Sequence, residues 1–377
     1  MKVLERALPD ETTTSRRDVA LLGLICAMGL VTAGYPTYVA HEITLLAPIP
    51  LLVCLLLLTD ARLTAPVWLI FVGVLEGWVV LSHLAMGGSA TSLIHTLGTF
   101  APFAVLAFRI RRPDRVAIHF AVVTVAMLEL RVTGSFLRAG GHWRPWQVYE
   151  GNDLAARLNV LLPLVLVERL RPPRRRSTGA VLVMLLGVGV LSLCMVQSRA
   201  GIGLLLGMVL VGLARTSWRA LAFVGAAALT VWFLASEAIL SLLERTRFID
   251  SVASAPRQEI WKVAFDAMGK SPLLGVGPGN GDEALSQIPA PHAHNSFVQT
   301  ALELGWPGAI LIAGLLGYIL YLAARLLWQG GRVTLWGLSL LAYLGVSFVS
   351  SPIVRPDFTL ALVLVMLASR DHELGRT

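Results

Sequence analysis

Apolar runs recur along this chain at a length that permits few folds. About twelve of them, centred near residues 26, 50, 73, 100, 123, 161, 188, 206, 227, 316, 342 and 362, approach the ~20 residues an α-helix needs to cross a hydrocarbon core. Peptide groups in that core find no water to bond, so such runs must satisfy themselves as helices. Over 377 residues the chain is 56% hydrophobic and 14% charged, with mean hydropathy +0.72, which excludes an ordinary soluble domain. The sequence therefore predicts an all-α polytopic membrane protein with about twelve transmembrane helices, residues 1–377 forming a single integral-membrane domain.

Polar stretches set the expected topology. Met1 to Asp18 is polar and leads straight into a full-length apolar run without a small-residue cleavage site, so the first span is expected to act as its own insertion signal. With a cytoplasmic N-terminus, 20 Lys/Arg fall in cytoplasmic segments and 10 outside, Arg157 being left within a span. That bias favours this orientation. It also explains the net charge of +8 without invoking nucleic acid. Two longer connections then face outward, about residues 131–152 and 236–294, and the second is the expected catalytic loop. Within it, Ile260, Trp261, Ala264, Phe265 and Met268 recur at helical spacing opposite Gln258, Glu259, Lys262 and Asp266, predicting an amphipathic helix over 257–270. The run Gly275-Val-Gly-Pro-Gly-Asn-Gly281 predicts tight turns. Cys26, Cys54 and Cys194 lie in apolar runs without C-x-x-C spacing and read as packing residues. No internal repeat is evident, which counts against transporters built from related halves.

Three outward segments place a basic or titratable side chain at the start of a helix. Arg199 follows Ser198, a natural N-cap; Arg257 follows Pro256, which suits a first turn; His294 precedes Asn295 and Ser296, either of which can cap. A cation at a helix N-terminus opposes the macrodipole by roughly 0.3–1 kcal/mol, and an anion reverses the sign. Free N–H groups, a positive helix end and an arginine fork together describe a phosphate or pyrophosphate site. The competing reading of each arginine is snorkelling to headgroups or pairing with a carboxylate such as Glu259. For His294, the helix end disfavours imidazolium and suits a general base, against the blander role of a structural hydrogen bond. His292 stands two residues away, assisting or simply exposed. A metal held by His292, His294 and Asp282 lacks the helical H-x-x-x-H spacing, and none is expected. Arg131, Arg138, His142, Trp143, Arg144, Trp146 and Tyr149 mark the first outward loop, where aromatics serve either an interfacial belt or sugar stacking.

Taken together, Ser198-Arg-Ala-Gly201, Arg257-x-x-x-Trp261, Gly275-x-Gly277 with Asn280, His294-Asn295 leading to Glu303-x-Gly305-x-x-Gly308, and Gly151-Asn-Asp-Leu-Ala155 resemble the O-antigen ligase and polymerase superfamily of bacterial surface polysaccharide assembly. The resemblance covers roughly residues 130–310. It implies a GT-C-like arrangement of spans in the bacterial inner membrane, with the active site on the periplasmic side. It further implies an undecaprenyl-pyrophosphate-linked glycan as donor, lipid A-core as acceptor, membrane lipids as surroundings, and no cofactor. Arg199 and Arg257 would hold the donor pyrophosphate and His294 would activate the acceptor hydroxyl, with Arg131, Arg138, Trp261, His292 and Asn295 as further substrate contacts. Compact length favours the ligase over the polymerase and protein O-oligosaccharyltransferase activities of the same superfamily. A flippase or transporter is the rival from another class; it should carry its charges near the midplane, whereas these cluster on one face.

Overall fold

The computed structural model describes residues 59–110, 113–138, 151–170, 176–195, 199–216, 255–286, 288, 293–349 and 356–373, with isolated positions between 219 and 226. In chain order the elements are β1 (Thr59–Leu63), α1 (Val67–Met86), α2 (Ala90–Phe100), a 3₁₀ helix (Ala101–Ala107), β2 (Phe108–Ile110), α3 (Pro113–Arg138), α4 (Gly151–Arg169), α5 (Arg176–Met195) and α6 (Arg199–Thr216). They continue with α7 (Ala255–Lys270), α8 (Gly281–Ala284), α9 (Ser296–Gln329), α10 (Val333–Val349) and α11 (Pro356–Glu373). Nine of the twelve expected span centres fall on these helices. Those near 26 and 50, with Cys26 and Cys54, lie outside the described residues, and so does most of the one near 227.

Among the described residues α1, the stretch Ala90–Ala107 and α9 are long and apolar enough to cross a membrane, with mean hydropathy 1.9, 1.4 and 2.1. Shorter apolar stretches lie in α5, α6, α10 and α11. The protein is a nearly all-helical membrane protein. Its large apolar residues point both ways: Phe100, Phe103, Phe120, Trp336 and Tyr343 are buried in the bundle, while Ile70, Leu84, Ile310 and Trp328 are exposed on its outside, where lipid makes no demand for polarity.

The all-α reading missed a small antiparallel sheet in which Thr59 pairs with Ile110 and Leu63 with Phe108. α1 and α2 form a helical hairpin, so the segments before and after it return to the same end of the bundle and satisfy each other's peptide groups. Thr64 N and Ala65 N both donate to Ala107 O, at 2.8 and 3.0 Å, and Arg370 of α11 closes this end through Leu106 O at 2.6 Å and the Thr64 hydroxyl. Arg131, expected at the start of an outward connection, is carried on a helix. α3 continues to Arg138, so Arg131 stands about two turns inside the helix end.

Polar side chains tie the helices together inside the bundle. Ser192 Oγ on α5 donates to Glu129 Oε2 on α3 at 2.9 Å, with Glu129 only 5% exposed. Asn159 Nδ2 on α4 donates to Gly201 O on α6 at 3.0 Å, and Ser339 Oγ on α10 to Val160 O at 2.6 Å. Such bonds replace the hydrophobic drive that lipid cannot supply between helices.

A break in α9 positions the candidate site. Its 34 residues would run about 50 Å if straight, well beyond a ~30 Å hydrocarbon core. At Gly305 the backbone leaves the helical region, with φ 67° and ψ −169°, and Pro307 has no N–H for the Glu303 carbonyl. The helix thus divides into a ten-residue arm, 296–305, and the apolar span beyond it. Peptide groups freed by the break are taken up by the turn 271–280. Val276 N donates to Leu302 O at 2.8 Å, Gly277 N to Glu303 O at 3.0 Å, and Trp306 N to Pro272 O at 2.9 Å. From α1, Trp78 Nε1 donates to Leu304 O at 2.9 Å and Ser82 Oγ to Leu274 O at 2.7 Å. A kink at membrane depth is tolerated where neighbours re-satisfy its backbone: Leu302 O, Glu303 O and Leu304 O each accept from the turn or from α1, and the Trp306 N–H is taken by Pro272 O.

Candidate functional site

The arm of α9 begins with a cap read correctly from sequence. Asn295 is the N-cap, extended at φ −156°, and its Oδ1 accepts from Phe297 N at 2.9 Å and Val298 N at 3.1 Å. That satisfies two of the orphan donors at the helix start. Its Nδ2 reaches Phe348 O on α10 at 3.5 Å, and the residue is 6% exposed. His294 stands immediately before this cap with φ 52°, the one non-glycine residue with positive φ among those described. Histidine tolerates this left-handed region better than most residues, and strain of this kind persists only where surroundings impose it.

The amphipathic helix forms as expected, as α7, burying Ile260, Ala264 and Met268. Ile260 and Ala264 pack in a small cluster with Leu285, Ala293, Val298 and Leu302. Trp261 meets the histidine turn directly, its Nε1 donating to Ala293 O at 2.9 Å. Arg257 lies one turn earlier on the same face of α7 and is partly buried. Fold and turn therefore bring Arg257, Trp261, His294 and Asn295, separated by up to 38 positions in sequence, to one end of the bundle.

Arg199 is the first residue of α6; its side chain, with Ser198, lies outside the described residues. The backbone nevertheless places the start of α6. A Cβ on Gly345 of α10 would meet Leu204 Cδ1 at 2.5 Å, and one on Gly212 would meet Leu338 Cδ1 at 3.6 Å, so α6 and α10 run antiparallel. Extending that register sets the first residues of α6 beside the last of α10, next to the carbonyl that Asn295 reaches. Arg131 and Arg138 are on the last turns of α3, but their side chains are not described. His292, and with it the metal set weighed from sequence, lies outside the described residues, as do His142, Trp143, Arg144, Trp146 and Tyr149.

Gln299 was not singled out from sequence, and Glu303 and Asn280 entered it as motif positions without a role. Gln299 is 1% exposed, accepts from Ala293 N at 2.8 Å and donates to Glu303 Oε1 at 2.6 Å; Glu303 Oε2 accepts from Gly279 N at 3.2 Å. Asn280 bridges two turns, donating from Nδ2 to Val276 O at 3.0 Å and Gly87 O at 3.2 Å. His83, which joined no constellation in the sequence, flanks this turn: a Cβ on Gly88 would stand 3.2 Å from His83 Nδ1 and 3.4 Å from Asn280 Oδ1. The legible signal was Gln299 and Glu303 at i, i+4, a polar pair on one face of an otherwise apolar helix.

Chemically, the arrangement offers a guanidinium, an imidazole on a constrained turn and a helix N-terminus at one end of a membrane bundle. Comparison with known proteins agrees with the sequence motifs. Residues 177–313, which contain Arg199, Arg257 and His294, match the O-Antigen ligase family. A curated relative, the Probable peptidoglycan glycosyltransferase FtsW of Halorhodospira halophila (strain DSM 244 / SL1), is 27% identical over 253 residues, covering 63% of this chain. The match spans 62% of that relative's own length, less than two thirds of it. Across residues 177–313, this chain is similar to the O-antigen ligase family.

Proposed function

We propose that the protein is an O-antigen ligase: a glycosyltransferase-like enzyme that moves O-antigen glycan from undecaprenyl pyrophosphate to lipid A-core, with inversion at the anomeric carbon. On this reading the full chain is a GT-C-like bundle of about twelve spans in the bacterial inner membrane, residues 131–152 and 236–294 face the periplasm, and the larger loop carries the chemistry. The observation that supports it most is the Trp261–Ala293 bond, which holds the helix bearing Arg257 against the turn bearing His294. The family match over residues 177–313 supports it independently.

The acceptor hydroxyl attacks the anomeric carbon of the donor and gives its proton to His294. As the new glycosidic bond forms, the bond to pyrophosphate breaks and its electron pair leaves on undecaprenyl pyrophosphate. Arg199 and Arg257, with the helix N-termini, stabilise that departing charge. Pyrophosphate is already a good leaving group, so positioning, cationic stabilisation and one base suffice, and the reaction calls for no metal. Arg131, Arg138, His292, Asn295 and Trp261 would line the substrates. The likeness to a protein named as a peptidoglycan glycosyltransferase favours glycan polymerisation as the second reading, with transfer to protein as a third.

The test supplies purified protein with undecaprenyl-pyrophosphate glycan and lipid A-core. A lipid A-core product is expected; longer lipid-linked chains would mean polymerisation, and transbilayer movement without a covalent product would mean a flippase. Loss of transfer in His294→Ala, Arg199→Ala and Arg257→Ala at normal membrane levels is expected. Full transfer by any of these variants would remove that residue from the mechanism.

A further inference from the structure

Both backbone groups of Ala293 are held by side chains from other elements. Its carbonyl accepts from Trp261 Nε1 at 2.9 Å, and its N–H donates to Gln299 Oε1 at 2.8 Å. The other half of the Gln299 amide donates to Glu303 Oε1 at 2.6 Å, and Glu303 Oε2 takes the Gly279 N–H at 3.2 Å. A line of donors and acceptors therefore runs from the glycine turn, through two side chains of the α9 arm, to the residue before His294. None of these bonds is needed to make α9 itself, whose first turn is already capped by Asn295.

Charge gives the line its direction. An ionised carboxylate only accepts, so Glu303 forces the NH₂ of Gln299 toward itself and leaves the carbonyl oxygen facing Ala293. The reversed amide would set oxygen against oxygen at one end and N–H against N–H at the other. Buried, such a mismatch costs far more than on a surface, which makes the orientation of Gln299 single-valued. The same hold explains why His294 can keep a φ of 52°.

We propose that Gln299 and Glu303 are positioning residues: the Glu303 carboxylate sets the polarity of the Gln299 amide, which pins Ala293 and thereby aims His294 at the acceptor hydroxyl. The inference rests on His294 acting as the base. It adds that the base is oriented from the α9 arm rather than by its own loop.

The pair permits a test by exchange. In the double variant Gln299→Glu/Glu303→Gln, the residue at 299 still accepts from Ala293, the one at 303 now donates to it, and its amide oxygen accepts from Gly279. Every hydrogen bond is remade with the charge moved one turn. The measurements, on full-length protein in nanodiscs, are hydrogen exchange of the Ala293 amide and steady-state transfer from undecaprenyl-pyrophosphate glycan to lipid A-core. Gln299→Leu and Glu303→Leu should each unprotect Ala293 and lower kcat by about tenfold to a hundredfold with donor KM little changed, as expected for a misplaced catalytic group. The exchanged pair should recover both protection and most of kcat.

Protection of Ala293 in Gln299→Leu would overturn the proposed hold. Recovery of protection without recovery of kcat in the exchanged pair would overturn positioning as its purpose. If His294→Ala itself transfers at the wild-type rate, the base assignment has failed, and positioning for catalysis with it; amide exchange still shows separately whether the turn is held.

Discussion

Gly305→Ala probes the break on which the site is built. Gly305 has φ 67° and ψ −169°, a region that residues with a Cβ essentially avoid, at a cost of about 1–3 kcal/mol. The added methyl would also collide with backbone rather than with a yielding side chain: the Leu273 carbonyl oxygen, Leu273 C at 2.5 Å and Pro272 O at 2.7 Å. Relief requires the turn 271–280 to withdraw, breaking Trp306 N to Pro272 O, Val276 N to Leu302 O and Gly277 N to Glu303 O. At about 1 kcal/mol net each, these three bonds bring the expected loss to roughly 4–6 kcal/mol. Gly314→Ala on the same helix is the control, because a Cβ there meets nothing within 4 Å, and replacing a helical glycine should be neutral or stabilise by up to ~1 kcal/mol. Thermal unfolding in detergent and hydrogen exchange across 272–280 measure the difference. An unchanged melting temperature and unchanged protection in Gly305→Ala would refute the claim that the turn is locked into the kink.

Three further outcomes follow from the geometry. Asn295→Ala removes the acceptor of the Phe297 and Val298 N–H groups and should destabilise the α9 arm by about 0.5–2 kcal/mol, read as faster amide exchange at 297–299, whereas Asn295→Asp retains the cap. Trp78→Phe replaces the indole and its N–H, which Leu304 O accepts beside the break; a loss of about 1–3 kcal/mol in unfolding free energy is expected. The single variant Gln299→Glu replaces the donor to Glu303 by a second carboxyl at the 2.6 Å separation of the native pair, so the contact is lost and the Ala293 amide should exchange faster than in wild type, with Glu303→Gln in the same chain restoring its protection.

Much of the fold was legible because its rules are local. Apolar windows located α1, α3, α4, α5, α6, α9, α10 and α11, and the alternation of Ile260, Trp261, Ala264, Phe265 and Met268 located α7 to within two residues of Ala255–Lys270. Asn295 was legible as a cap because its job involves only the next three residues. The β1–β2 pair was not, since neither short segment carries a strand pattern and the pairing exists only because α1 and α2 return both to one end. Arg131 was assigned to a loop because hydrophobicity ends before the helix does; α3 outlasts its apolar stretch by two turns.

The sequence by itself determined which segments must be helical and which side chains are candidates for chemistry, because burial of an apolar run and capping of a helix are decided within a few residues of chain. Only the tertiary structure decided what those candidates face. Trp261 reaches Ala293 from 32 positions away and Trp78 reaches Leu304 from 226, and each completes a backbone group left open by a turn or a kink elsewhere. Which distant donor satisfies such a group depends on how the helices pack, and that information is spread over the whole chain rather than held at any one position.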